Sequence, residues 1–146
     1  MKGYLLDTNV LIALLWPSHA LHERAVKWFS RQRSKRWATC PLTEAGFVRI
    51  VSNPAFSRDA VTPREAAGIL AANTAAKDHV FWPAELPFTE AVAFAGARFV
   101  GHQQTTDAYL LGLALHRGGM LATLDERIAG LTEHNSSARK AIETVN

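Results

Sequence analysis

Gly3-Tyr4-Leu5-Leu6-Asp7-Thr8-Asn9-Val10-Leu11-Ile12 decides the fold class, because a single acid separates two apolar runs of different kind. Gly3 to Leu6 is short, apolar and β-compatible, and reads as a buried strand ending at Asp7. Asn9 to Leu15 reads as a short apolar helix stopped by Pro17. A charge placed directly between two buried segments needs a physical reason to be there. The longest apolar run, Val10 to Trp16, is too short to cross a bilayer, and Asp7 interrupts any signal-peptide core. The expected location is cytoplasmic, with no membrane association.

The same pattern returns near the other end of the chain. Met120 to Leu124 reads as an apolar strand ending at Asp125, with a short helix from Glu126 to Leu131 behind it. Between the two, helical spacing over His19 to Gln32 puts Leu21, Ala25, Trp28 and Phe29 on one face. Trp37 to Leu42 reads as a second strand and Thr43 to Ser52 as a helix. Thr62-Pro63-Arg64-Glu65 is a capping box with proline at the first position, and predicts a helix to about Lys77. Val80 to Trp82 reads as a third strand and Thr89 to Phe99 as a helix. Another helix opens at Thr105-Thr106-Asp107 and ends at Gly118-Gly119. Ala141 to Val145 reads as an edge strand. Strands alternating with helices predict an α/β fold whose parallel sheet is covered on both faces. The 146 residues contain no repeat and no linker, so one domain over 1–146 is expected.

Composition narrows the chemistry. Cys40 is the only cysteine, which rules out an internal disulfide and a thiolate zinc site. The formal charge of +3 is compatible with a nucleic-acid partner without being diagnostic of one. Four acids map to one end of the predicted sheet, where open α/β sheets bind their ligands. Asp7 and Asp125 follow strands, Glu44 follows the second strand at a helix start, and Asp107 lies in the first turn of its helix. Singly, Glu44 and Asp107 suit a helix dipole and Asp125 suits a helix cap. Together, four carboxylates repel unless a cation joins them. Mg²⁺ or Mn²⁺ prefers such oxygen ligands, and can activate water and stabilise charge on a phosphodiester. If repulsion dominates, replacing Asp7 should leave the metal-free fold at least as heat-stable as the parent.

Four motifs resemble those of PIN-domain nucleases: Leu5-Leu6-Asp7-Thr8-Asn9, Glu44-Ala45-Gly46-Phe47-Val48-Arg49-Ile50, Thr106-Asp107-Ala108-Tyr109-Leu110 and Leu121-Ala122-Thr123-Leu124-Asp125. Their order and the chain length are most similar to VapC-type toxins of bacterial toxin–antitoxin modules. The resemblance implies a three-layer α/β/α PIN-like domain with a central, mainly parallel sheet. It implies that Asp7, Glu44, Asp107 and Asp125 hold Mg²⁺ or Mn²⁺, with Thr8, Asn9 and Thr106 orienting carboxylates or water. It further implies an endoribonuclease acting on RNA such as tRNA or rRNA, and a cognate antitoxin as inhibitor. A PIN-fold nuclease that processes RNA or cuts DNA is the alternative. A phosphatase with an aspartate nucleophile usually carries a second aspartate two places on, where this chain has Asn9.

Weaker signals concern partners. Arg33 and Lys35, in the basic run from Arg31 to Arg36, and Arg49 and Arg58 are candidate RNA phosphate contacts. A solvated turn at a helix C-terminus, where cations are favoured, is the preferred reading of the run. Trp16, Trp28, Trp37 and Trp82 lie in apolar patterns that favour packing over base stacking. The apolar surface of Val10 to Trp16, Trp28 and Phe29 exceeds what a small sheet covers, and predicts a homodimer and an antitoxin groove. His102, just before the third motif, is expected to border the cleft.

Overall fold

The computed structural model describes residues 3–32, 35–96, 101–134 and 136–146. Five strands form one sheet in the order β3-β2-β1-β4-β5: β1 (Gly3–Leu6), β2 (Arg36–Thr39), β3 (His79–Phe81), β4 (Met120–Thr123) and β5 (Ile142–Thr144). Every pairing is parallel. Leu5 stands opposite Ala38 on one side and Leu121 on the other, so the first strand is the middle of the sheet. All four of its residues are buried, as a strand covered on both faces must be.

The two-residue period of the strands sorts their side chains into two cores. Tyr4, Leu6, Trp37 and Ala122 face the helices α1 (Thr8–Leu15), α2 (His22–Arg31), α3 (Pro41–Val51) and α4 (Pro63–Thr74). Leu5, Ala38 and Leu121 face α5 (Phe88–Ala95), α6 (Thr105–His116) and α7 (Ser137–Lys140). The result is the expected α/β/α sandwich. Leu5, Leu6 and Leu121 are wholly buried, and each contributes roughly 1.5–3 kcal/mol through removal from water.

Local chemistry moves several predicted boundaries. The second strand stops at Thr39, not Leu42, because Pro41 has a fixed helical φ and no N–H to lose, so it opens α3. Thr43 Oγ1 accepts from the Cys40 N–H at 3.0 Å and closes that turn. The α4 helix has the expected cap, with Glu65 N–H donating to Thr62 Oγ1. It ends at Thr74 rather than Lys77, where Asn73 and Thr74 side chains donate to the carbonyls of Ile69 and Leu70. Gly96, at φ 63°, ends α5 short of Phe99, which lies outside the described residues.

The largest correction concerns the apolar surplus. Val10, Leu11, Ile12, Ala13, Trp16 and Trp28 are buried, and only Leu14, Leu15 and Phe29 of that surface remain half-buried, beside a small groove. All four tryptophans are core residues. Among the described residues, the exposed large apolar side chains are Val26, Leu42, Phe81, Phe88 and Phe94.

Two arrangements bear on the site. The chain places β2 and β3 to one side of β1 and β4 and β5 to the other, so strand order reverses between β1 and β4. The tail is tied to that point, since Val145 N–H donates to the Thr123 carbonyl at 2.8 Å. The α6 helix that carries Asp107 lies so close to α5 that a Cβ on Gly112 would overlap the Ala91 carbonyl oxygen. Gly112→Ala is therefore expected to force the helices apart and cost about 1–3 kcal/mol. Chemical denaturation should show a lowered midpoint with an unchanged slope.

Candidate active site

The switch point between β1 and β4 carries the acids. Asp7 follows β1 and is 6% exposed. One carboxylate oxygen accepts from the Thr8 N–H at 2.7 Å, capping α1. The other accepts from the Thr123 hydroxyl at 2.8 Å. Thr123 is the last residue of β4, and its Oγ1 also accepts from the Asp125 N–H at 3.0 Å. Asn9 clasps the same strand end, accepting from the Leu124 N–H at 3.1 Å. The backbone adds a direct bond from Asp7 N–H to the Ala122 carbonyl. Thr8 thus touches Asp7 through its backbone, and Asn9 reaches the end of β4 through its side chain. Thr106 is exposed in the first turn of α6.

Asp107 and Asp125 line a cleft of about 290 Å³ together with Gly101, His102, Arg127 and Ile128. His102 borders it as predicted. The Asp107 carboxyl is pushed up to about 6, first by burial and then by the negative charges of Asp7 and Asp125. Asp7 is raised as well, chiefly by burial, although its Thr123 and Thr8 bonds oppose this. Asp125 moves the other way, because Arg127 holds it ionised. Its two oxygens receive Nε and a terminal nitrogen of that guanidinium, both at 3.0 Å.

Glu44 is the fourth acid. It lies in the first turn of α3 at the same sheet end, beside a groove that it shares with Arg49, Pro63 and Leu70. The Thr39 hydroxyl donates to its Oε2 at 2.6 Å, and His79 Nε2 lies 2.8 Å from the same hydroxyl. Thr39 has one proton; with that proton on Glu44, the imidazole must supply its own hydrogen at Nε2. Gly46 brings α3 against α1, for a Cβ there would meet Thr8 Oγ1 at 2.9 Å.

The residues fit a hard divalent cation by donor type: three carboxylates, mutually repelling and partly desolvated, are oxygen ligands in want of positive charge. Among the described residues no three such side chains already converge on one ion. Thr123 and the Thr8 N–H hold Asp7, and Arg127 holds Asp125.

The remaining sequence candidates separate. Arg49 is exposed next to Glu44. Arg58 is exposed in the connection before α4. Lys35 precedes β2 at the opposite end of the sheet, where its ammonium donates to the Tyr4 hydroxyl and lies over that ring. That position is at the other end of the strands from the acids. Arg33 lies outside the described residues. Thr39, Thr123, His79 and Arg127 were not foreseen. The available signal was a threonine at the last buried position of a strand, which needs a polar partner.

The residues 4–133 match the family model of the PIN domain. The chain belongs to the PIN-domain family. Relatives of known name place it further: it is 46% identical to ribonuclease VapC39 of Mycobacterium tuberculosis H37Rv over 127 residues, 86% of this chain and 90% of that one. It is 38% identical to ribonuclease VapC38 of the same strain, covering 97% and 98%. Its fold resembles a chain in the crystal structure of VapBC2 from Rickettsia felis bound to a promoter DNA fragment, with a TM-score of 0.64, 11% identity and coverage of 99% and 100%. It also resembles FitAcB from Neisseria gonorrhoeae, with a TM-score of 0.55, 19% identity and coverage of 98% and 96%. PIN-domain ribonucleases in general depend on a divalent metal.

The crowding of the acids has a pH signature. Folded Asp107 binds its proton more tightly than the unfolded chain, whose value is 3.8. Protonation between about pH 6 and 4 therefore stabilises the fold, and the gain is absent above that window. His19 and His79, held low by burial, act in the opposite sense in parent and variant alike. In chelator, Asp107→Asn is expected to melt above the parent at pH 7.5, with the difference shrinking by pH 4.5. A difference that does not vary with pH would contradict the assignment. The expectation for Asp7→Ala is reversed, because the alanine removes the α1 cap and strands the Thr123 hydroxyl.

Proposed function

We propose that this chain is the toxin of a type II toxin–antitoxin pair, an endoribonuclease that hydrolyses RNA phosphodiester bonds with Mg²⁺ or Mn²⁺ at Asp7, Asp107 and Asp125. The observation that carries the reading is geometric: Asp107 and Asp125 line one cleft beside buried Asp7, at the point where the strand order reverses. The 46% identity to a ribonuclease over most of both chains supplies the reaction class. Glu44 completes the set, either as a ligand or through water. No helix among the described residues is long and apolar enough to cross a membrane, and we place the protein in the cytoplasm.

A divalent ion bound there supplies Lewis acidity toward water and the phosphodiester. The chain's own residues prepare the place. Thr123 and the Thr8 N–H each fix one oxygen of Asp7, which sets the plane of that carboxylate. Asn9 keeps the ends of β1 and β4 in register, so Asp7 and Asp125 cannot drift apart. Thr39 and His79 hold Glu44 by one oxygen. Arg49 sits where it can meet RNA phosphates that pass Glu44. Arg58 is a second such cation on the exposed turn.

VapBC2 and FitAcB are named with their partner proteins. We extend that arrangement here: a cognate antitoxin inhibits this chain, and the chain is a homodimer. Phe88 and Phe94 on α5 are the exposed apolar residues that suit a subunit interface. Light scattering at micromolar concentration should report a dimer.

The test of the enzyme is direct. Asp7→Asn preserves the shape of the α1 cap while removing the charge. Calorimetry with Mn²⁺ should show binding lost, and cleavage of a total RNA sample should fall by at least about 100-fold, the scale of losing an electrostatic catalytic group. Cleavage profiling of the parent on tRNA, rRNA and single-stranded DNA distinguishes the toxin from a processing or DNA nuclease. An Asp7→Asn protein that cuts RNA at the parental rate would sink the assignment.

A further inference from the structure

Arg127 is the one arginine or lysine among the described residues that line the acidic cleft. It lies at the start of the short 3-10 turn Glu126–Leu131, two residues beyond Asp125. Its guanidinium grips Asp125 by two parallel bonds of 3.0 Å, and its backbone N–H donates to the same carboxylate at 2.9 Å. Its charge also acts on Asp107, lowering that carboxyl against the stronger raising effects. Yet the side chain is 87% exposed. Among the described residues its guanidinium bonds Asp125 alone. An exposed pair of this kind contributes little to stability and exchanges readily.

Three properties meet in this residue. The Asp125 oxygens that the guanidinium occupies are the lone pairs that a cation at the acid cluster requires. The planar fork that fits a carboxylate fits a phosphate equally well. And the cleft that Arg127 borders is the one into which a polyanionic strand must bring its phosphates.

We propose that Arg127 is both an internal stand-in for the metal and a phosphate-gripping residue for the RNA. Without metal, it neutralises Asp125 and restrains the repulsion among Asp7, Asp107 and Asp125. When a divalent cation takes the carboxylates, the guanidinium is released and grips an RNA phosphate beside the cleft. No bond is made or broken in this exchange; one ion pair replaces another. The inference rests on the ribonuclease reading, and it makes Arg127 act with opposite sign on the two ligands. A purely structural arginine would not do so.

The experiment uses Arg127→Ala and Arg127→Lys in the full chain, the substituted side chain being on the surface. Mn²⁺ alone is titrated by calorimetry, and RNA cleavage is followed at several salt concentrations. Losing an exposed ion-pair competitor should tighten Mn²⁺ binding by about two- to five-fold in Arg127→Ala. The KM for RNA should rise about tenfold at low salt, with a smaller effect on kcat. The salt dependence of RNA affinity should lose about one phosphate contact. Arg127→Lys keeps the charge and loses the fork, so its KM should fall between the two. Mn²⁺ affinity that is unchanged or weaker in Arg127→Ala overturns the stand-in role. An unchanged KM and salt slope overturn the grip. A parent that neither binds Mn²⁺ nor cuts RNA overturns the ribonuclease reading and this inference with it, whereas a parent that does both while Arg127→Ala matches it overturns this inference alone.

Discussion

Burying the Asp7 charge at the end of the central strand is the constraint on which the rest depends. A carboxylate taken out of water is tolerated only where hydrogen bonds or an opposite charge replace the lost solvation. Here the Thr8 N–H, at the positive end of α1, provides one bond and the Thr123 hydroxyl provides another. Neither brings a full positive charge. Burial therefore still raises Asp7 and Asp107, and the cluster retains a demand for a cation. The fold stabilises itself elsewhere, in two large apolar cores on either side of the sheet, and can carry a site that is unfavourable by itself.

Much of this was legible in the sequence. Gly3 to Leu6 and Met120 to Leu124 could hardly be anything but covered strands, and the acids that end them fell at the same sheet end by topology alone. The capping box at Thr62 located α4 because its chemistry is local. What was not legible depends on distance. Whether Val10 to Trp16 is free or covered turns on how α2 and α3 pack against it, which no local pattern encodes. The support of Glu44 by Thr39 and His79 has the same origin. Its partner His79 is 35 positions further along the chain, and only the β2–β3 pairing brings it near Thr39.

The two threonines show a shared construction that spacing did not disclose. Thr39 ends β2 and donates to Glu44; Thr123 ends β4 and donates to Asp7. Each is wholly buried, and each passes a hydroxyl from the sheet to an acid that belongs to another element. A valine of the same shape would satisfy the core and leave the carboxylate with one fewer donor. The β-propensity that makes threonine suitable for a strand thus conceals its second use.

The backbone bond from Val145 to Thr123 ties the far end of the chain to the acid cluster. β5 lies beyond the matched residues 4–133, yet it completes the sheet beside β4. It is anchored from outside as well, because Trp28 donates to Glu143 and Arg31 to the Asn146 carbonyl. The last five residues consequently behave as a clasp on the strand that presents Asp125, far from them in sequence. Proteolytic trimming there, or a fusion partner that pulls the tail away, would loosen the β4 edge of the sheet before it touched any acid.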